Sequence, residues 1–210
     1  MSRFKAKHVS QWRKDGFCVI DNFFTAEEIT PLLVDFERLY PGQPEGAQDP
    51  VYMDREAEDF TDARRSQFIN IHSLPYDGSV ALSLISLHPA LIHFAQALLG
   101  VEEVHCYQSH TWAKFTGQTD YEQEFHCDFH NHTLTVPSDD HAARSVDFIF
   151  YLTDVTEQNG ALHYVTKPDV VKAIGRPALA AYTDDEQECL RRYERKVEVL
   201  AGGLLAHGID

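Results

Sequence analysis

The sequence is short of positive charge, of paired cysteines and of long apolar runs, and each shortage removes a class of function. Eighteen Lys and Arg stand against 33 Asp and Glu, a formal net charge of −15. A phosphate backbone needs a basic stripe, and none is present, so a nucleic-acid partner is excluded. The longest uncharged apolar run, residues 90–99, falls far short of a bilayer and is interrupted by His93 and Gln96. No membrane partner is expected. Nothing apolar follows Met1-Ser2-Arg3-Phe4-Lys5, so a secretory leader is not expected either. Cys18, Cys106, Cys127 and Cys189 lack any Cys-x-x-Cys spacing. That fits reduced thiols in a cytoplasmic protein better than a disulfide framework or a zinc ribbon. Internal repeats and low-complexity tracts are also missing.

What is present is ordinary globular composition, with 43% hydrophobic and 11% aromatic residues over 210 positions. That is enough chain for a substantial core. Gly16 to Ile20 reads as a short strand. Thr25-Ala26-Glu27-Glu28 then has the Thr-x-x-Glu pattern that opens a helix. Ile29, Leu32, Leu33, Phe36 and Leu39 continue it at helical spacing. Residues 41–50 read as a turn-rich insert. Residues 79–99 read as helix, broken or restarted at Pro89 and stopped by Gly100.

Beyond Gly100 the texture changes to short β-branched and aromatic runs: 104–115, 123–135, 145–153, 161–166 and 196–200. One helix, about 184–195, interrupts them. Helices first and strands afterwards, without alternation, predict an α+β chain built on an antiparallel sandwich or barrel of the jelly-roll kind.

The densest polar cluster is Phe125-His126-Cys127-Asp128-Phe129-His130-Asn131-His132. On a strand, His126, Asp128, His130 and His132 share one face. A His and an Asp two apart can bind one metal ion from the same side. A distant second His would complete the 2-His-1-carboxylate triad of non-haem Fe(II) oxygenases. A chain with 12 histidines contains about one His-x-Asp by chance, so the motif gains meaning only from its surroundings.

Those surroundings resemble the phytanoyl-CoA dioxygenase family of iron- and 2-oxoglutarate-dependent oxygenases through almost the whole chain. Asp15-Gly16-Phe17-Cys18-Val19-Ile20 through Phe23-Phe24 is similar to the family's opening strand. His88-Pro89-Ala90-Leu91 through Leu98-Leu99-Gly100 resembles the helix before its barrel. Gln108 and Lys114 match a Gln-x5-Lys strand, Phe125 to Phe129 the metal motif, and Leu152 to Leu162 the turn around Asn159-Gly160.

The resemblance implies a double-stranded β-helix, jelly-roll and cupin-like, with helices packed on one side. It implies a single dioxygenase-like domain over 1–210, helical to about residue 102 and barrel thereafter. It assigns His126 and Asp128 as the first two iron ligands, Lys114 to a carboxylate of the 2-oxoglutarate cosubstrate, and Gln108 to the primary substrate. Dioxygen and an unidentified small-molecule substrate are the implied partners; oligomeric state is left open. Iron halogenases of this fold carry a small residue in place of the Asp, so Asp128 implies hydroxylation. The family's third ligand is a His near the closing strand, followed by an Arg that holds 2-oxoglutarate. Residues 197–206 resemble the approach to them, so both either lie past Asp210, are supplied from elsewhere or are absent from an altered site, with His207 as the alternative ligand.

Two other readings compete: a non-catalytic barrel without a complete iron triad, and a cupin-like protein using His126, Asp128, His130 or His132 for another metal. His130 and His132 otherwise read as strand-end residues, His163 as packing, and Cys127 as a small core residue. Asn159-Gly160 reads as a hairpin turn. The acidic residues 184–188 read as the first turn of a helix.

Overall fold

A computed structural model describes residues 2–40, 69–75, 78–113, 123–128, 138–178 and 181–209. Six helices and seven strands are defined there. In chain order they are α1 (Ala6–Asp15), β1 (Phe17–Ile20), α2 (Ala26–Leu39), β2 (Ile69–Ser73), α3 (Val80–Ile85), α4 (Pro89–Leu99), β3 (His110–Ala113), β4 (Asp147–Phe150), β5 (Leu162–Tyr164), α5 (Lys167–Ile174), α6 (Asp184–Arg191), β6 (Arg195–Val197) and β7 (Leu204–His207).

Local chemistry sets the helix boundaries. The Thr25 hydroxyl accepts the Glu28 N–H while the Glu28 carboxylate accepts the Thr25 N–H at 2.9 Å, so two otherwise orphaned donors are satisfied at the start of α2. Thr183 and Glu186 repeat the device at α6. Gly100 closes α4 in the left-handed conformation at φ 72°. The stretch Val80–Leu99 has the length and hydropathy of a membrane span, although His88, His93 and Gln96 interrupt its apolar residues. It is two helices with a break at residues 86–88, and their inward residues Leu82, Ile85, Leu91, Phe94 and Leu98 are buried in a common core.

β7 is the central strand of an antiparallel sheet in the order β1-β7-β4. Phe17 and Asp147 both stand opposite His207, and Ile20 and Phe150 both stand opposite Leu204. Alternation then sorts the side chains onto two faces. Cys18, Ile20, Leu204, Ala206, Phe148 and Phe150 face the helices, packing with Trp12, Leu32, Leu82, Phe94 and Leu98. Phe17, Val19, Leu205 and Ile149 face the other way, toward Leu162 and Tyr164 of β5 and Val197 of β6. The architecture is therefore a helical layer, a three-stranded sheet, and the smaller β5–β6 sheet beyond it. Both faces of β7 are covered, and all four of its residues are buried.

Just before β7 the chain reverses through Gly202, whose φ is +84°. An added Cβ there would stand 2.5 Å from the Phe24 carbonyl oxygen. That carbonyl's own residue donates its N–H to the Gly202 oxygen at 2.8 Å. Only glycine satisfies the conformation and the close approach together.

The strand expectations hold in place but not in extent. The run 104–115 yields only β3, and residues 123–128 form no strand. Residues 129–135 lie outside the described residues. α1, α5, β2 and β7 carry no expectation from the sequence. Asn159-Gly160 is not a two-residue hairpin turn. Asn159 ends a short 3-10 turn, its side-chain oxygen accepting the Thr156 N–H, and Gly160 follows at φ 93°. β5 pairs with β6, not with the strand before the turn.

Candidate metal centre

His126 and Asp128 are placed by what holds the residues between and beside them. The buried side chain of Gln187 on α6 clamps Phe125: its carbonyl accepts the Phe125 N–H at 3.0 Å and its amide donates to the Phe125 oxygen at 2.9 Å. Cys127 is buried, with its sulfur 3.4 Å from the Ala178 oxygen and 3.5 Å from the Tyr182 hydroxyl. With 125 and 127 tied to one side, 126 and 128 project to the other. His126 Nε2 lies 3.2 Å from Asp128 Oδ1.

The tautomer of His126 follows from its other nitrogen. Nδ1 is 2.9 Å from the Glu124 carbonyl oxygen, an acceptor, so Nδ1 carries the proton. In the neutral ring Nε2 then presents a lone pair toward a carboxylate that can only accept. Two acceptors at this distance require a cation or a proton between them. An imidazole whose remote N–H is held by a backbone carbonyl is the usual arrangement of a metal-ligating histidine.

A second imidazole arrives from the sheet. His207 on β7 is 8% exposed, and its Nδ1 lies 3.9 Å from Asp128 Oδ2. That nitrogen donates to the Gly208 carbonyl at 3.0 Å, which again leaves the lone pair on Nε2. The Tyr164 ring stands edge-on to His207 at 6.1 Å and stacks obliquely on Phe17 at 4.3 Å. Those three rings form the apolar wall of the site.

Asp147, across the strand pair from His207, brings a fourth acidic or basic group into the same space. Ligand atoms of Asp128, Asp147 and His207 all lie within 4.8 Å of one another. His110 on β3 adjoins them: burial lowers its pKa and the nearby Asp147 carboxylate opposes that shift. His110 is nevertheless solvent-accessible.

Of the residues singled out in the sequence, His126 and Asp128 meet. Gln108 lies exposed two residues ahead of His110 on the approach to β3. Lys114, His130 and His132 fall outside the described residues. His163 is ion-paired, not packed: its ring nitrogens lie 3.1 Å from Glu194 and 3.0 Å from Glu157. Sequence reasoning missed Asp147 and Gln187.

Deeper in the same layer Tyr151 is buried with Phe17, Val197, Val199 and Leu205. Its hydroxyl is buried without a hydrogen-bond partner among the described residues, and burial pushes its pKa up to about 12. It is a neutral donor facing the space between the two sheets.

Over 165 residues the chain is 32% identical to ectoine dioxygenases of Bordetella parapertussis and Bordetella bronchiseptica, an overlap of 76% of this chain and 48% of each relative. The chain thus spans just under half the length of those relatives. Its fold matches EctD from S. alaskensis solved with 2-oxoglutarate and 5-hydroxyectoine, with a TM-score of 0.66 and 19% identity over 100% of this chain and 69% of that one. It also matches HygX from Streptomyces hygroscopicus, solved with nickel, 2-oxoglutarate and hygromycin B, with a TM-score of 0.59 and 12% identity over 100% of this chain and 80% of that one. The fold is the double-stranded β-helix of these oxygenases, with its helices against one face of the larger sheet. The phytanoyl-CoA dioxygenase (PhyH) family model matches residues 12–207, and the chain belongs to that family.

Proposed function

We propose that this chain forms the catalytic core of an Fe(II)- and 2-oxoglutarate-dependent dioxygenase that hydroxylates a small molecule. The observation that carries the reading is the approach of His126 Nε2 to Asp128 Oδ1 at 3.2 Å, with the His126 Nδ1 proton held by the Glu124 carbonyl. The donor set fits a divalent metal: neutral imidazole and carboxylate, each oriented by backbone or by a buried amide. His126 and Asp128 would hold the iron, with His207 the nearest further imidazole.

Iron and 2-oxoglutarate, when bound, supply the oxidation of a C–H bond by dioxygen. The polypeptide's own part is to orient and to exclude water. Gln187 fixes the backbone that carries the ligands. Phe17, Tyr164 and Leu205 keep the inner wall apolar. Lys114 is the cation for a cosubstrate carboxylate, the buried Tyr151 hydroxyl is a further donor, and Gln108 reaches the substrate. The first substrate to test is ectoine, because the relatives named above act on it. The free thiols of Cys18, Cys106, Cys127 and Cys189 suit a reducing cytoplasm.

The experiment is succinate formation from 2-oxoglutarate in air by the Fe(II)-loaded chain, with His126→Ala and Asp128→Ala beside it. Turnover that both substitutions abolish is expected. Metal uptake without 2-oxoglutarate binding would favour the different-metal cupin reading. Uptake of neither would favour the non-catalytic barrel.

A further inference from the structure

The helical pair α5–α6 reaches the ligand-bearing segment by two separate routes. Gln187 on α6 holds both backbone groups of Phe125, at 3.0 and 2.9 Å. The Ala178 carbonyl oxygen and the Tyr182 hydroxyl lie 3.4 and 3.5 Å from the Cys127 sulfur. The residues on either side of His126 are therefore fixed from one place. Both routes meet at a single side chain, Arg176, which follows Gly175 at the end of α5. Its guanidinium grips Glu186, the residue before Gln187, with Nε 2.9 Å from Oε1 and Nη2 2.8 Å from Oε2. Nη2 also donates to the Ala181 carbonyl at 3.2 Å, Nη1 donates to that of Pro177 at 3.4 Å, and the group lies over the Tyr182 ring at 5.4 Å. Glu186 meanwhile closes the capping box of α6 with Thr183, so the same ion pair sets where Gln187 stands. Gripping a carboxylate twice, reaching a carbonyl and stacking on a ring together require the planar fork of Arg. A half-buried ion pair of this kind adds little to global stability. Its effect is local, on residues 125 and 127.

We propose that Arg176 is a positioning residue for the metal ligands, holding Gln187 and Tyr182 so that Phe125 and Cys127 are fixed and His126 and Asp128 converge at 3.2 Å. The inference rests on the metal-site reading above. It assigns part of the ligand geometry to a guanidinium whose hydrogen bonds, among the described residues, go only to Pro177, Ala181 and Glu186.

The test compares wild type with Arg176→Gln and with a control, Arg195→Gln, which breaks the 3.0 Å ion pair to Asp169 on α5 and touches neither route. Each variant is first shown to be folded by far-UV circular dichroism. Amide hydrogen exchange at Phe125 is read by NMR in the metal-free protein. Mn(II) affinity is read by calorimetry, and the ligand field of Co(II) at the site by visible absorption. Arg176→Gln is expected to speed exchange at Phe125 by about tenfold. It should also weaken Mn(II) by about tenfold, a loss typical of groups that orient metal ligands, and shift the Co(II) bands. Arg195→Gln should leave Phe125 exchange and Mn(II) affinity within about twofold of wild type and the Co(II) bands in place. Exchange or Mn(II) affinity within about twofold of wild type in Arg176→Gln, or an equal loss in Arg195→Gln, overturns the inference. If Asp128→Asn then still loses the metal, the site itself stands. Mn(II) binding unchanged in both Asp128→Asn and His126→Gln overturns the metal-site reading instead. Should Arg176→Gln not fold, Glu186→Gln, which removes the same ion pair, is measured against the same thresholds.

Discussion

Replacing Asp128 by Asn should push stability in opposite directions with and without metal. Its carboxylate oxygens lie within 4.8 Å of the ligand oxygen of Asp147. Two unit charges at that spacing repel by ~3.5 kcal/mol at an effective dielectric near 20. Asp128 is 35% exposed, so solvent screening reduces this to ~1–2 kcal/mol. The isosteric Asn removes the repulsion. In a protein of this size each kcal/mol moves Tm by about 2–4 °C, so the metal-free variant should melt ~2–8 °C above wild type. Wild type at a Mn(II) concentration of about one hundred times Kd gains ~2.7 kcal/mol, a rise of ~5–10 °C that the variant should lack. Differential scanning calorimetry at about pH 8, where an ordinary imidazole is neutral, reads both shifts. A variant that melts below wild type when metal-free and still rises with Mn(II) would refute the idea that the site stores charge repulsion for a cation.

Three further outcomes are expected. Glu28 has its pKa drawn down to about 2, chiefly by its hydrogen bonds to Arg3, from an ordinary 4.5; because the folded pKa is depressed, the stabilisation is complete above about pH 4.5 and lost as pH falls toward 2. With solvent screening it amounts to ~1–2 kcal/mol, and Arg3→Ala should remove it from acid-titrated urea unfolding while leaving the curve at lower pH unchanged. Tyr151→Phe deletes a buried hydroxyl without a partner and should leave stability equal or raise it by up to ~1 kcal/mol; a drop of the urea midpoint would show that the hydroxyl has a partner. Gly202→Ala forces a Cβ against the Phe24 carbonyl at positive φ and should cost more than ~2 kcal/mol, again read from the urea midpoint.

The sequence made the helical half legible because caps and periodicity are local. Thr25 with Glu28, Pro89 and Gly100 each act within a turn, and each marks its boundary in the structure. The barrel was harder to read. β7 is Leu-Leu-Ala-His, with no alternation to betray a strand, because both its faces are covered. Its central position was therefore invisible, and with it the reason His207 comes near Asp128. His126 and Asp128 were readable as a pair two residues apart. Asp147 was not, since its place in the site depends on strand pairing with residue 207 across the intervening chain. Gln187 lay equally hidden: a glutamine on a short acidic helix gives no hint that it holds the backbone of residue 125.

That β1 and β7 are neighbours has a consequence for how the protein comes into being. Phe17 pairs with His207, so the strand made first on the ribosome must wait for one made some 190 residues later. At translation rates of roughly 5–20 residues per second, β1 spends on the order of ten seconds or more without its partner. During that interval its apolar residues Phe17 to Ile20 are covered on the helical side alone, by α1, α2 and α4. Long-range pairings of this kind slow the search for the native state. The cluster of Asp128, Asp147 and His207 can assemble only when β7 docks, so uptake of metal by the nascent chain would mark the docking of β7.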